Sequence, residues 1–133
     1  MKYLKLFNEQ MHYSIEELTE ICDTCFAYLY DDGFYVEIKE NKIWIVKEND
    51  GSYFYWSEIK DSFLSLMSMI DNIDEVKMYH YQLSHMKTKE KFVVYKRNSS
   101  WDSHPLDKLE EIMSRDDAYG NRSRISKITI YLK

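Results

Sequence analysis

The apolar residues of this chain change their period repeatedly between Ser14 and Leu132, and that alternation restricts the fold more than any other feature. Leu18, Ile21, Cys22, Cys25, Phe26 and Leu29 follow Ile15 at helical spacing on one face. Ahead of them Ser14 and Glu17 stand in the capping-box relation, in which each satisfies an amide that the first helical turn leaves open. Asp31-Asp32-Gly33 closes this helix, with Gly33 placed to take the left-handed conformation. The period then drops to two. Phe34, Val36 and Ile38 alternate with Tyr35, Glu37 and Lys39, and a turn at Glu40-Asn41 leads into Ile43-Trp44-Ile45-Val46, which predicts a hairpin. Asn49-Asp50-Gly51-Ser52 reads as a second turn and Tyr53-Phe54-Tyr55 as a third strand.

Ser57 is expected to cap a second helix whose buried stripe is Ile59, Phe63, Leu66, Met67 and Ile70. Glu75 to Leu83 alternates again, and Lys91 to Arg97 is a further β-branched and aromatic run. Pro105 is placed in the first turn of a third helix, where its missing N–H is not needed, with Leu106, Leu109, Ile112 and Met113 as the stripe. Ile125 to Leu132 closes the chain as a strand with Ile128, Ile130 and Leu132 on one face. The expected order is α-βββ-α-ββ-α-β. Short links between successive strands favour antiparallel pairing, so the fold class is α+β: a mostly antiparallel sheet with helices packed on one face. The length of 133 residues fits one domain, residues 1–133, with residues 1–13 as an extended arm.

Composition narrows the function classes. Aromatics make up 16% of the chain, with 12 Tyr, whereas Gly (3) and Pro (1) are scarce, which excludes a disordered or collagen-like chain. Gly33, Gly51 and Gly120 lie too far apart to cradle a phosphate. No apolar run approaches the length of a membrane span, and the N-terminus lacks the apolar core of a signal peptide. Two cysteines three residues apart make no disulfide framework. The expected location is the cytoplasm, with reduced thiols and no membrane contact. Residues 1–75 hold 6 Lys+Arg against 16 Asp+Glu, and residues 76–133 hold 12 against 7, so a net of −10 precedes a net of +5. The overall −5 is therefore a difference between two unlike parts.

Cys22 and Cys25 with His80 and His85 imitate a zinc-binding set. The cysteines, however, fall in the middle of a helix on its apolar stripe, where they read as small core residues. No metal and no cofactor are expected. Asp31-Asp32, Glu110-Glu111 and Asp116-Asp117 sit in turns or on helix surfaces, and no catalytic constellation is visible, so an enzyme is not expected. The basic half carries a sharper signal. Lys87, Lys89, Lys91, Lys96 and Arg97 surround a hairpin, Arg122 and Arg124 precede the last strand, and Tyr79, Tyr81, Tyr95 and Trp101 are interleaved. Cations beside stacking rings suit single-stranded nucleic acid, and exposed Tyr, Trp and Arg suit a protein interface. The order of residues 15–70 matches a double-stranded-RNA-binding domain, but the second helix opens Ser57-Glu58-Ile59-Lys60-Asp61, without the basic start that grips phosphates. That assignment is rejected.

Met1-Lys2-Tyr3-Leu4-Lys5-Leu6-Phe7-Asn8-Glu9 resembles the opening of many small proteins of large tailed phages, of the form Met-Lys-x-hydrophobic-Lys-x-Phe-x-Glu. It is also similar to the capsid-targeting peptides that a prohead protease removes after a Glu, although Phe7 stands where such sites carry a small aliphatic residue. The resemblance implies a phage-encoded accessory, packaged or host-interaction protein, in the host cytoplasm or the virion interior. The expected function is a non-enzymatic interaction domain that binds a protein partner or a second copy of itself. Single-stranded nucleic-acid binding through the basic, aromatic half is the other reading.

Overall fold

The computed structural model describes residues 13–48, 53–83, 88–97, 103–115 and 124–133, with 81–83 and 88–92 described by their backbone alone. Helix α1 spans Ile15–Tyr30 behind the expected capping box: Ser14 Oγ accepts from the Glu17 amide at 3.1 Å, and Glu17 Oε1 accepts from the Ser14 amide at 2.9 Å. Gly33 takes φ 91 in the turn that follows, as a residue without Cβ can. Strands β1 (Phe34–Lys39) and β2 (Lys42–Lys47) form the hairpin, with Asn41 at φ 59 in its two-residue loop.

Helix α2 spans Trp56–Met69. Ser57 is not its cap. The helix begins two residues earlier than that cap would set, with Tyr55 as N-cap, and Glu58 Oε2 reaches back to accept from the Tyr55 amide at 2.9 Å. Tyr53-Phe54-Tyr55 contributes one antiparallel bridge, Phe54 to Ile125, in place of a full strand. Strands β3 (Ile73–Leu83) and β4 (Thr88–Lys96) pair antiparallel. Beyond them lies β5 (Ser103–Pro105), a short strand parallel to β4 that the sequence reading treats as loop and helix start. Pro105 ends that strand in extended conformation, and a 3-10 turn, Leu106–Lys108, precedes the short helix α3 (Leu109–Met113). Strand β6 (Arg124–Leu132) completes a mixed, mostly antiparallel sheet in the order β1-β2-β6-β3-β4-β5.

The last strand thus enters the middle of the sheet, between β2 and β3. Two irregularities keep the apolar residues of β6 and β3 in phase. Ile125 and Ile128 are three apart, and an ideal strand would send them to opposite sides. The ladder shifts between Tyr79 and His80, leaving Ser126 as the extra residue, and Ser126 Oγ donates to the Tyr79 carbonyl at 3.2 Å. A second shift between Ile73 and Glu75 does the same for Ile73 and Val76. One side of the sheet, including Ile43, Ile45, Val76, Met78, Tyr95, Ile128 and Ile130, shares a single buried cluster with Phe26 of α1, Phe63 of α2 and Met113 of α3. Ring packing fixes its interior: Trp56 meets Phe63 edge-on at 5.4 Å, and Phe34 meets Phe54 at 5.1 Å. The three helices therefore lie on one side, and among the described residues no helix lies on the other.

Candidate functional site

The strand positions that alternate with the core point away from the helices, and their composition is regular. Among the described side chains, each of the five long strands carries one lysine there, and four of the five add one aromatic residue. They are Lys39 and Tyr35 on β1, Lys42 and Trp44 on β2, Lys127 and Tyr131 on β6, and Lys77 and Tyr79 on β3. On β4 the lysine is Lys96. The ladder sets these side chains beside one another: Lys42 faces Tyr131, Lys127 faces Tyr79, and Trp44 and Lys77 flank the buried Thr129. Tyr53 and Tyr55, at the single bridge, extend the surface with an edge-on pair at 5.8 Å.

The lysine heads lie over the rings. Lys39 Nζ is 4.5 Å and Lys42 and Lys127 are each 5.3 Å from the Trp44 ring centre. Lys127 is also 4.5 Å from Tyr79, while Lys77 and Lys42 approach Tyr131 at 5.1 and 5.7 Å. Arg124 lies 5.3 Å from Tyr53. Such contacts are worth about 0.5–1 kcal/mol at exposed sites, enough to gather the ammonium groups and too little to lock them. Glu37 and Glu75 sit among them, at 3.3 Å from Lys39 and at 3.8 and 3.9 Å from Lys77 and Lys96. Among the described side chains two carboxylates do not offset five lysines, so this part of the face is net positive.

The opposite, helical side is acidic. Helix α1 holds Glu16, Glu17, Glu20 and Asp23 and no Lys or Arg. A shallow depression on it is lined by Ile15, Glu16, Thr19, Glu20, Asp23 and Thr24, all from that one helix. Charge is therefore divided by layer. Lys39 and Lys42, from the acidic part of the sequence, join the basic face because β2 pairs with β6.

Of the residues singled out from sequence, Tyr79, Lys96 and Arg124 belong to this face. Arg97, at the sheet's end, donates from Nη2 to the Ile73 carbonyl at 2.9 Å. Tyr95 is a correction: it is fully buried, on the helix side, with its hydroxyl 3.6 Å from Met113 Sδ, and offers no surface for stacking. Tyr81, Lys89 and Lys91 have ladder positions opposite Arg124, Gln82 and His80. Lys87, Trp101 and Arg122 lie outside the described residues, and the side chains of Tyr81, Lys89 and Lys91 do too. Lys42, Trp44 and Lys77 are absent from the sequence-based set. Their signal is the off-phase position in each strand, as in Lys42-Ile43-Trp44-Ile45, which reading charge by chain halves conceals.

Of the zinc-like set, Cys22, Cys25 and His80 are described and do not form a metal-holding group. Cys22 is buried on α1, where burial, aided by Cys25 and Asp23, pushes its thiol up to about 12 and keeps it protonated. Cys25 Sγ lies 3.6 Å from Met69 Sδ on α2. His80 is buried in β3, where loss of hydration lowers its imidazole to about 4, and His85 lies outside the described residues. Among the described residues no three His, Cys, Asp or Glu side chains are placed to hold a metal ion, and no helix is long and apolar enough to cross a membrane. No protein-family model, no curated protein and no solved structure matches this chain.

Proposed function

We propose that this chain is a non-enzymatic interaction domain whose working surface is the side of the sheet opposite the three helices, and that the partner it selects is anionic. The observation that carries this reading is the outward lysine repeated on each of five strands and joined on four of them by an aromatic residue. A fold needs only the inward half of each strand to be specified, and random solvated positions do not repeat across five strands with a shared sign of charge. The phage origin rests on residues 1–9 alone, which lie outside the described residues. On that basis we assign the domain to the accessory, packaged or host-interaction proteins of a tailed phage.

A heparin column, used as a plain polyanion, tests the surface. The triple variant Lys42→Glu, Lys77→Glu, Lys127→Glu elutes at much lower salt than the parent. The helical-side variant Glu16→Gln, Glu20→Gln, Asp23→Asn elutes no earlier than the parent. Circular dichroism shows that both remain folded. Equal elution of the parent and the lysine variant would sink the proposal.

A further inference from the structure

We infer that the anionic partner of this face is single-stranded nucleic acid, an inference that rests on the binding role just proposed and names its ligand. Two independent features of the face select this chemistry. The first is the identity of the cations. Five of them are lysines, which protein interfaces deplete in favour of arginine, whereas phosphate neutralisation needs only a reachable charge. The second is the rings. A partner recognised by charge alone gains nothing from Trp44, Tyr79 and Tyr131 on three adjacent central strands, β2, β6 and β3. Unpaired bases do gain, because each presents a flat face that stacks on an aromatic ring regardless of sequence.

The lysines and rings also work together. Trp44, Tyr79 and Tyr131 each have an ammonium group within 6 Å of the ring centre. Moving these flexible heads sideways onto phosphates uncovers the rings for bases, so one binding event uses both halves of each pair. From β1 to β4 the face spans four strand spacings, roughly 19 Å. That suits the small end of single-strand sites, about 4 nucleotides. A duplex keeps its bases stacked inside and offers the rings nothing.

Fluorescence anisotropy with a labelled deoxythymidine oligomer of about 15 nucleotides tests the inference at low salt, against inorganic polyphosphate, a duplex of equal length and polyglutamate as competitors. The expected result is saturable binding that weakens about fiftyfold between 50 and 200 mM salt, as four phosphate contacts require. Trp44→Ala is expected to weaken binding about tenfold, and Trp44→Phe to restore most of it. Polyphosphate or polyglutamate competing as well as the oligomer, with no effect of Trp44→Ala, would overturn the inference while leaving an anion-binding face. Tighter binding of the duplex would overturn it too. Light-scattering mass that rises with protein concentration at low salt, together with no oligomer binding, would make a second copy the partner and also overturn it. Failure of every polyanion to bind would remove both this inference and the role it rests on.

Discussion

The two sides of the sheet are made by the same strands, residue by residue in alternation, yet they obey different rules. On the helix side, Phe63, Tyr95, Ile43, Ile45 and Met78 are fully buried and packed in one cluster. Interiors are packed as densely as organic crystals, so each of those side chains is fixed by its neighbours' shapes. On the other side the residues are long and partly exposed, and they touch through ammonium–ring contacts. The first side makes the fold and tolerates little. The second can change without unfolding the chain and is therefore available for binding.

Two tryptophans give the comparison its largest test. Trp56 is fully buried against Phe63, whereas Trp44 stands half-buried under lysines. Urea unfolding of Trp56→Ala should show a loss of about 3–5 kcal/mol, the usual cost of emptying an aromatic site. Trp44→Ala should cost less, about 2 kcal/mol at most, the sum of its three lysine contacts. A loss at Trp44 as large as that at Trp56 would show that the outer face is part of the core, and the distinction between the two sides would fall.

His80 tests the core side from within, because it is the imidazole placed where the fold wants an apolar group. It is 2% exposed, with Ile125 opposite on β6 and Lys91 opposite on β4. Burial lowers it to about 4, whereas an unfolded chain titrates it near 6.5. As the pH falls the unfolded chain takes up its proton first. The stability held by neutral His80 is therefore complete above about pH 6.5 and drains away toward pH 4, by roughly 3 kcal/mol. His80→Leu should flatten that part of the pH–stability curve. An unchanged acid limb would place the sensitivity elsewhere.

The contrast also explains what was legible in the sequence. Period two and period 3.6 report burial, so the helices, the β1–β2 hairpin and β6 were readable from Phe34, Val36, Ile45, Ile128 and their like. The capping box at Ser14 was readable because it is a local bond between near neighbours. Strand order was not. Nothing local says that β6 inserts between β2 and β3, or that Ser126 is an extra residue that returns Ile125 to the core. The binding face depends on that order, because Lys42 and Tyr131 become neighbours only through it. Tyr95 was misplaced for the same reason: within Phe92-Val93-Val94-Tyr95, every phase is apolar, and only pairing with Val76 decides which side it takes.

Lys127 gives the smallest effect on stability and the most direct reading of the outer face. Its head lies 4.5 Å from Tyr79 and 5.3 Å from Trp44, in the middle of the sheet. Lys127→Met keeps an unbranched stem and puts a polarisable sulfur near both rings, which offsets the lost cation–ring contact. Stability should therefore stay within about 0.5 kcal/mol of the parent by urea unfolding. Binding to the labelled oligomer should lose one phosphate contact, so the slope of log affinity against log salt becomes shallower by about 0.7. A variant that unfolds more easily yet binds with the parental slope would reverse the roles assigned to the two sides, making Lys127 a structural residue and moving the phosphate path away from β6.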